Sequence, residues 1–309
     1  MLDFNDVVFQ FPVEEKPIIN HLSFHVDRGE FISIIGASGC GKSTIFRLIN
    51  RLLEPENGEI LVAGTRVAGK PAAGLGMENS REKTGENSRE KIRERAGENS
   101  REKTRGKTRR NGPVFGYMPQ QDLLFPWRTV EENLCLPMEL QGGISREEQH
   151  RRAQKALEDV GLAGKGDKRP SELSGGMRQR AAFARTLLTG ADLLLLDEPF
   201  SALDYLTRIE MREWLLEQWE RERKTVLFIT HDVEEAIFLS GRVLVAERSP
   251  ITSLTSVEIP LGVPRSIEDL KKPEIQDMKE QLIGKLRNAV IDLPLRAGVK
   301  SGNGDGKHF

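Results

Sequence analysis

Phe31-Ile-Ser-Ile-Ile35, followed at once by Gly36-Ala-Ser-Gly-Cys-Gly-Lys42-Ser43-Thr44, is the stretch on which the fold turns. A short, nearly continuous apolar run predicts a strand covered on both faces, as in a parallel sheet. The glycine-rich segment that follows matches the GxxxxGKS/T pattern. Beyond it Ile45, Leu48, Ile49 and Leu52 recur at helical spacing, and the turn cluster Glu54-Pro55-Glu56-Asn57-Gly58 ends the pattern. Strand, glycine turn and amphipathic helix in that order form the context in which such a loop cradles phosphate. Glycines let successive backbone N–H groups converge on phosphate oxygens, at the positive end of the helix dipole. Gly36, Ala37, Ser38, Gly39, Cys40, Gly41, Lys42, Ser43 and Thr44 are therefore expected to hold a nucleotide. Lys42 would reach the β- and γ-phosphates, and the Ser43 hydroxyl would bind Mg²⁺. Cys40 sits beside Lys42 at a helix N-terminus, where a thiol pKa falls. A thiol reagent is then expected to inactivate the protein, and MgATP to protect it.

A bound nucleotide also needs metal ligation and an activated water. Leu193-Leu-Leu-Leu-Asp197-Glu198-Pro199 supplies both: four apolar residues bury the strand, and two carboxylates emerge at its C-terminal edge. Asp197 is expected to hold Mg²⁺, and Glu198 to accept a proton from the attacking water. No Asn-Lys-x-Asp run, the mark of guanine recognition, occurs in the sequence, which favours ATP.

Leu173-Ser174-Gly175-Gly176-Met177-Arg178-Gln179-Arg180 resembles the signature sequence of ABC-type ATPases, ahead of Asp197 as that family orders it. Ser201-Ala202-Leu203-Asp204 is similar to the family's D-loop, and His231-Asp232 follows the strand Val226–Ile229 as its switch histidine does. Gln120 resembles the Q-loop glutamine, with the adjacent Gln121 as the alternative. Phe11 stands where the family stacks an aromatic on adenine, with Phe9 as its rival. The resemblance spans about residues 3–248 and implies an α/β P-loop NTPase. Its parts would be a RecA-like core sheet, an antiparallel β subdomain and an α-helical signature subdomain.

It further implies that Ser174, Gly175, Gly176 and Asp204 act across a homodimer, completing the partner's nucleotide site. Gln120 would sense Mg²⁺ and water, and His231 would bond the γ-phosphate. The catalytic set would be Glu198, His231, Gln120 and Lys42, and the metal set Ser43, Gln120 and Asp197. Asp122 to Val130, with Phe125-Pro126-Trp127, resembles the ATPases of importers for nitrate, sulfonate and taurine. In that group the Gln120–Thr129 loop meets a separate transmembrane permease, and a solute-binding protein acts indirectly. A turn anchored by the Pro-Trp pair is the simpler reading of that segment.

Residues 78–110 depart from the pattern. Glu-Asn-Ser-Arg-Glu-Lys occurs there three times, at Glu78, Glu86 and Glu98, and the segment carries twelve Lys or Arg against seven Glu. With Ile92 and Ala96 as its only aliphatic side chains it cannot bury enough surface to order itself, so a disordered insertion in a surface loop is expected. Extra loop length costs only about 0.6 kcal/mol per doubling, so the fold should tolerate it.

The 309 residues carry 46 Lys and Arg against 47 Asp and Glu, which argues against a globally basic nucleic-acid binder. Two cysteines exclude a disulfide framework. Met1 to Asp6 is acidic and lacks a signal-peptide layout. The expected place is peripheral, on the cytoplasmic face of the membrane. Residues 1–247 are expected to be the ATPase domain, with a helical subdomain at about 124–190. Ser145 and Glu148 predict a capping box opening a helix over 145–160. Residues 248–296 would form an appendage with an amphipathic helix carrying Ile275, Met278, Leu282 and Leu286, and 297–309 a flexible tail. Two other readings stand beside the transporter: an ABC ATPase of translation or repair, and nucleic-acid or lipid binding through the basic insertion.

Overall fold

The computed structural model describes residues 1–70 and 115–291, so the insertion 78–110 and the tail 297–309 lie outside the described residues. Among the described residues ten strands are formed: β1 (Leu2–Phe9), β2 (Ile19–Val26), β3 (Phe31–Gly36), β4 (Asn57–Val62), β5 (Thr65–Gly69), β6 (Phe115–Met118), β7 (Leu193–Asp197), β8 (Thr225–Ile229), β9 (Arg242–Ala246) and β10 (Thr255–Glu258). Seven α-helices accompany them in the same described residues: α1 (Lys42–Ile49), α2 (Val130–Gln141), α3 (Arg146–Asp159), α4 (Gly175–Leu187), α5 (Tyr205–Glu222), α6 (Val233–Leu239) and α7 (Pro273–Ile291).

The central sheet runs β10-β9-β3-β8-β7-β6. Every pairing from β9 to β6 is parallel, and β10 closes the edge antiparallel to β9. Each residue of β3, β7 and β8 is buried, as the unbroken apolar runs require when both faces of a sheet are covered. A parallel sheet delivers all its C-terminal strand ends to one edge, where ligands bind in open α/β folds. That edge here receives the glycine turn after β3, Asp197 and Glu198 from β7, and His231 after β8.

A second sheet, β2-β1-β4-β5, is antiparallel throughout. Its inward side chains, among them Leu2, Phe4, Val7, Leu22 and Ile60, share one apolar core with Ile45, Phe46, Leu48 and Ile49 of α1 and with Ile32 and Ile34 of β3. Helix α1, which follows the glycine turn, is thereby held between two sheets. It is also shorter than its apolar pattern suggested. It ends at Ile49, and Leu52 lies beyond it, 63% exposed.

Helices α2, α3 and α4 pack on one another around Leu134, Met138, Ala153, Leu157 and Phe183. Ser145 does cap α3, accepting from the Glu148 N–H, but the reciprocal half of the expected capping box is absent. The Glu148 carboxylate turns to Arg151 and Arg152, which hold its pKa down at about 2. A complete box lies instead at Thr129, whose hydroxyl accepts from Glu132 N–H while the Glu132 carboxylate accepts from Thr129 N–H. Helix α7 lays Ile275 and Leu282 against Val233, Ala236 and Ile237 of α6 and Val243 of β9.

Candidate nucleotide site

Lys42 opens α1, and Gly41 before it holds φ at 116°, a conformation L side chains rarely adopt. The Lys42 ammonium is buried and donates to the carbonyls of Gly36 and Ala37, each at 2.9 Å. A buried cation whose hydrogen-bond partners among the described residues are its own loop's carbonyls is poised to trade them for phosphate oxygens. Around it lies a cleft of about 450 Å³. Its walls are Phe11, Ile18, Ser38, Gly39, Gly41, Lys42, Ser43, Thr44, Arg47, Gln120, Glu198 and His231.

Of the paired alternatives, Phe11 and Gln120 are the ones on the wall of the cleft. Phe9 points inward from β1 and is 6% exposed, whereas Phe11, beyond the strand end, stacks edge-on against it and faces the cleft. Gln120 likewise lines the cleft and donates to a Glu198 carboxylate oxygen at 3.2 Å. His231 Nδ1 lies 3.4 Å from the same oxygen. Three side chains carried by three different strand ends thus meet at one atom. Glu198 also holds φ at 49°, in the left-handed region, with its N–H donating to Ile229 O at 2.9 Å. A non-glycine residue held there stores strain of a kind that clusters at functional sites.

Asp197 is 3% exposed, and burial pushes its carboxyl above the usual carboxylate range, against the lowering pull of a Ser43 hydrogen bond. A hydroxyl and a buried carboxylate side by side are hard oxygen donors of the kind Mg²⁺ takes together with phosphate oxygens, so these residues fit that ion. Arg47 was not singled out from the sequence. It stands one turn after Ser43 on α1 and lines the cleft.

Cys40 does not behave as expected. It is 2% exposed and packs into the core beneath the loop, and burial raises its thiol pKa more than Lys42 lowers it. Proximity to a cation was legible in the sequence; burial was not. The predicted ready inactivation by thiol reagents is therefore withdrawn.

Ser174, Gly175, Gly176 and Asp204 lie outside this cleft. Ser174 is the N-cap of α4 and accepts from Met177 N–H at 3.3 Å, leaving the first N–H groups of the helix unpaired by the cap. A Cβ at Gly176 would lie 3.2 Å from Ala202 O, which accounts for a glycine at that close approach. Asp204 caps α5 through Thr207 N–H at 3.1 Å. In the Pro126–Trp127 turn the Trp127 ring packs on Phe125 at 5.1 Å and the Trp127 carbonyl accepts from Arg169, although the side chain is 67% exposed. Asn133, fully buried, adds a second anchor, accepting from Phe125 N–H and donating to Thr129 O.

A glycine phosphate turn, an acidic pair ending the next strand but one, and a separate serine-glycine helix tip together define an ATP-binding cassette. The model of the ABC transporter family matches residues 19–201, and the chain belongs to that family; it is an ATPase. It is 38% identical over 296 residues to the formylaminopyrimidine import ATP-binding protein ThiZ of Halalkalibacterium halodurans, covering 96% of this chain and 98% of that one. It is 33% identical over 267 residues to the aliphatic sulfonates import ATP-binding protein SsuB of Bacillus cereus, covering 85% and 88%. Among solved structures, the cassette MJ0796 in a dimeric post-hydrolysis state bound to ADP and phosphate superposes with a TM-score of 0.65 at 26% identity. That match spans 85% of this chain and all of the other.

Proposed function

We propose that the chain is the ATP-hydrolysing subunit of an importer for a small solute, working as a homodimer beside separate permease subunits on the cytoplasmic face of the membrane. One observation carries the paired reading: the Ser174–Gly176 tip is absent from the walls of the cleft that holds Lys42, Glu198 and His231. A second copy, facing the first head to tail, would supply that tip to the γ-phosphate. The dimeric relative bound to ADP and phosphate supports this arrangement.

In this mechanism Phe11 stacks on adenine and Lys42 leaves the carbonyls of Gly36 and Ala37 for the β- and γ-phosphates. Gln120 and His231 steer the Glu198 carboxylate and the γ-phosphate. Glu198 then accepts the proton of the water that attacks phosphorus. Mg²⁺, when bound, would neutralise phosphate charge, with Ser43 and Asp197 as its protein ligands and Gln120 beside it. ATP closes the pair and hydrolysis reopens it, a population shift between two states of unequal affinity. The permease would follow through the Gln120–Thr129 loop, where Leu123 (58%) and Trp127 (67%) are exposed large apolar residues. Names of relatives point to cargoes as different as an aliphatic sulfonate and a formylaminopyrimidine. An organic sulfonate is the first cargo to test, in keeping with the Phe125–Trp127 resemblance.

Mixed dimers test the reading. One subunit carries Lys42→Ala and the other Ser174→Arg, and each homodimer is expected to be inactive. In the mixture one site pairs an intact glycine loop with an intact helix tip, so differently tagged copies of the two variants should associate when ATP is added, which neither does alone. A mixture that stays monomeric with saturating ATP would contradict the shared site.

A further inference from the structure

Gln179, in the second turn of α4, takes no part in the mechanism above. It is 3% exposed, yet its amide is fully employed. Its Nε2 donates to Glu198 O at 3.1 Å and to Ser201 Oγ at 3.3 Å, and its Oε1 accepts from Ala202 N–H at 2.7 Å. A buried amide satisfied on both sides fixes geometry more sharply than an apolar side chain of the same size, because any shift strands a donor or an acceptor.

What it fixes is the strained turn. Glu198 is held in the left-handed region from both sides: its N–H is tied to β8 through Ile229 O, and its carbonyl accepts from Ser201 N–H and Oγ within the turn and from Gln179 of α4. Gln179, which also reaches Ser201 Oγ, is the tether that belongs to the helix whose tip is Ser174–Gly176. The same helix grips the segment after Gln120, since Arg178 Nε donates to Asp122 Oδ2 at 3.0 Å and Arg185 donates to the carbonyls of Asp122 and Leu123. Helix α4 therefore ties together the tip, the catalytic turn and the Gln120 loop.

We infer that Gln179 is a positioning residue that sets the Glu198 turn according to where α4 stands, so that the two ATP sites of a pair fire together. The inference rests on the paired-site reading: α4 of one subunit touches its partner's nucleotide, while the Glu198 it holds serves its own. Nucleotide capture at one site moves α4, and the amide carries that displacement to the carboxylate of the other. Coupling of this kind is reciprocal, so each site gates its neighbour.

The experiment uses the full-length chain, with Gln179→Leu and Gln179→Glu as variants. Wild type should hydrolyse ATP with a Hill coefficient approaching about 2, the number of sites in a pair. Gln179→Leu should lower turnover about 10–100-fold, the scale of a catalytic group displaced by an ångström, and bring the Hill coefficient to about 1. KM for ATP should stay within about threefold, because no group that binds nucleotide is lost. Gln179→Glu keeps the acceptor for Ala202 N–H but faces a carboxylate onto Glu198 O. Its activity relative to wild type should rise as the pH falls and a protonated carboxyl donates again, which a mere packing role would not produce. An unchanged Hill coefficient and turnover in both variants would overturn the inference. The two claims separate in a Glu198→Gln background. ATP-induced dimers that survive Gln179→Leu support the division of roles, and failure of Glu198→Gln itself to dimerise would overturn the paired reading and this inference with it.

Discussion

The turn that presents Glu198 makes a prediction about stability that runs against the usual order of residues. Glu198 sits at φ 49° and its side chain is 20% exposed. Replacement by alanine or by glycine removes the same carboxylate, and with it the contacts to Gln120 and His231, so those losses cancel when the two variants are compared. Both keep the backbone bonds to Ile229 O and from Gln179. What differs is the backbone. A Cβ in the left-handed region costs about 1–2 kcal/mol, which glycine is spared. Glycine loses more conformational entropy on folding, about 0.5–1 kcal/mol relative to alanine. The balance favours glycine by about 0.5–1 kcal/mol, whereas in a helix or strand alanine would be the more stable. With a urea slope of about 3 kcal/mol per molar, the Glu198→Gly midpoint should lie about 0.2–0.3 M above that of Glu198→Ala. Both proteins should be devoid of turnover, so urea titration of the nucleotide-free chain is the assay. A Glu198→Ala midpoint equal to or above that of Glu198→Gly would refute the claim that the Glu198 carboxylate is mounted on strained backbone.

Two further outcomes are expected. Burial holds the Asp197 carboxyl above its unfolded value, so the ionised side chain destabilises the ligand-free fold at neutral pH. That penalty fades as the pH falls from the folded pKa to the unfolded 3.8. Asp197→Asn should therefore melt above wild type at pH 7, by a margin that shrinks on acidification, while losing Mg²⁺-dependent hydrolysis; a lower melting point at pH 7 would contradict this. Phe11→Ala should raise KM for ATP several-fold with little loss of stability, whereas Phe9→Ala, a core truncation, should cost about 3–5 kcal/mol of stability. The reverse pattern would exchange their roles.

The glycine turn, the acidic pair and the histidine were legible because each is a local pattern: a buried strand followed by the residues its C-terminal end presents. The choice between Phe9 and Phe11 was not, since it depends on where β1 stops and which face its last residues turn. Cys40 was misread because its neighbours in sequence are visible while the core beneath the loop is not. Glu148 illustrates competition: the motif offered a box, and two arginines one turn on outbid the backbone N–H for its carboxylate. The role of Gln179 was out of reach altogether, as its partners lie 19 to 23 residues away and meet it only through the packing of α4 on the turn after β7.

Light scattering or sedimentation of Glu198→Gln protein, with and without saturating ATP, bears most directly on the account. Retaining the nucleotide cradle but lacking the base that lets the pair reopen, this protein should pass from monomer to stable dimer when ATP is added, and Ser174→Arg in the same chain should abolish the change. A monomer at high protein concentration with ATP bound would contradict the shared site on which the mechanism is built.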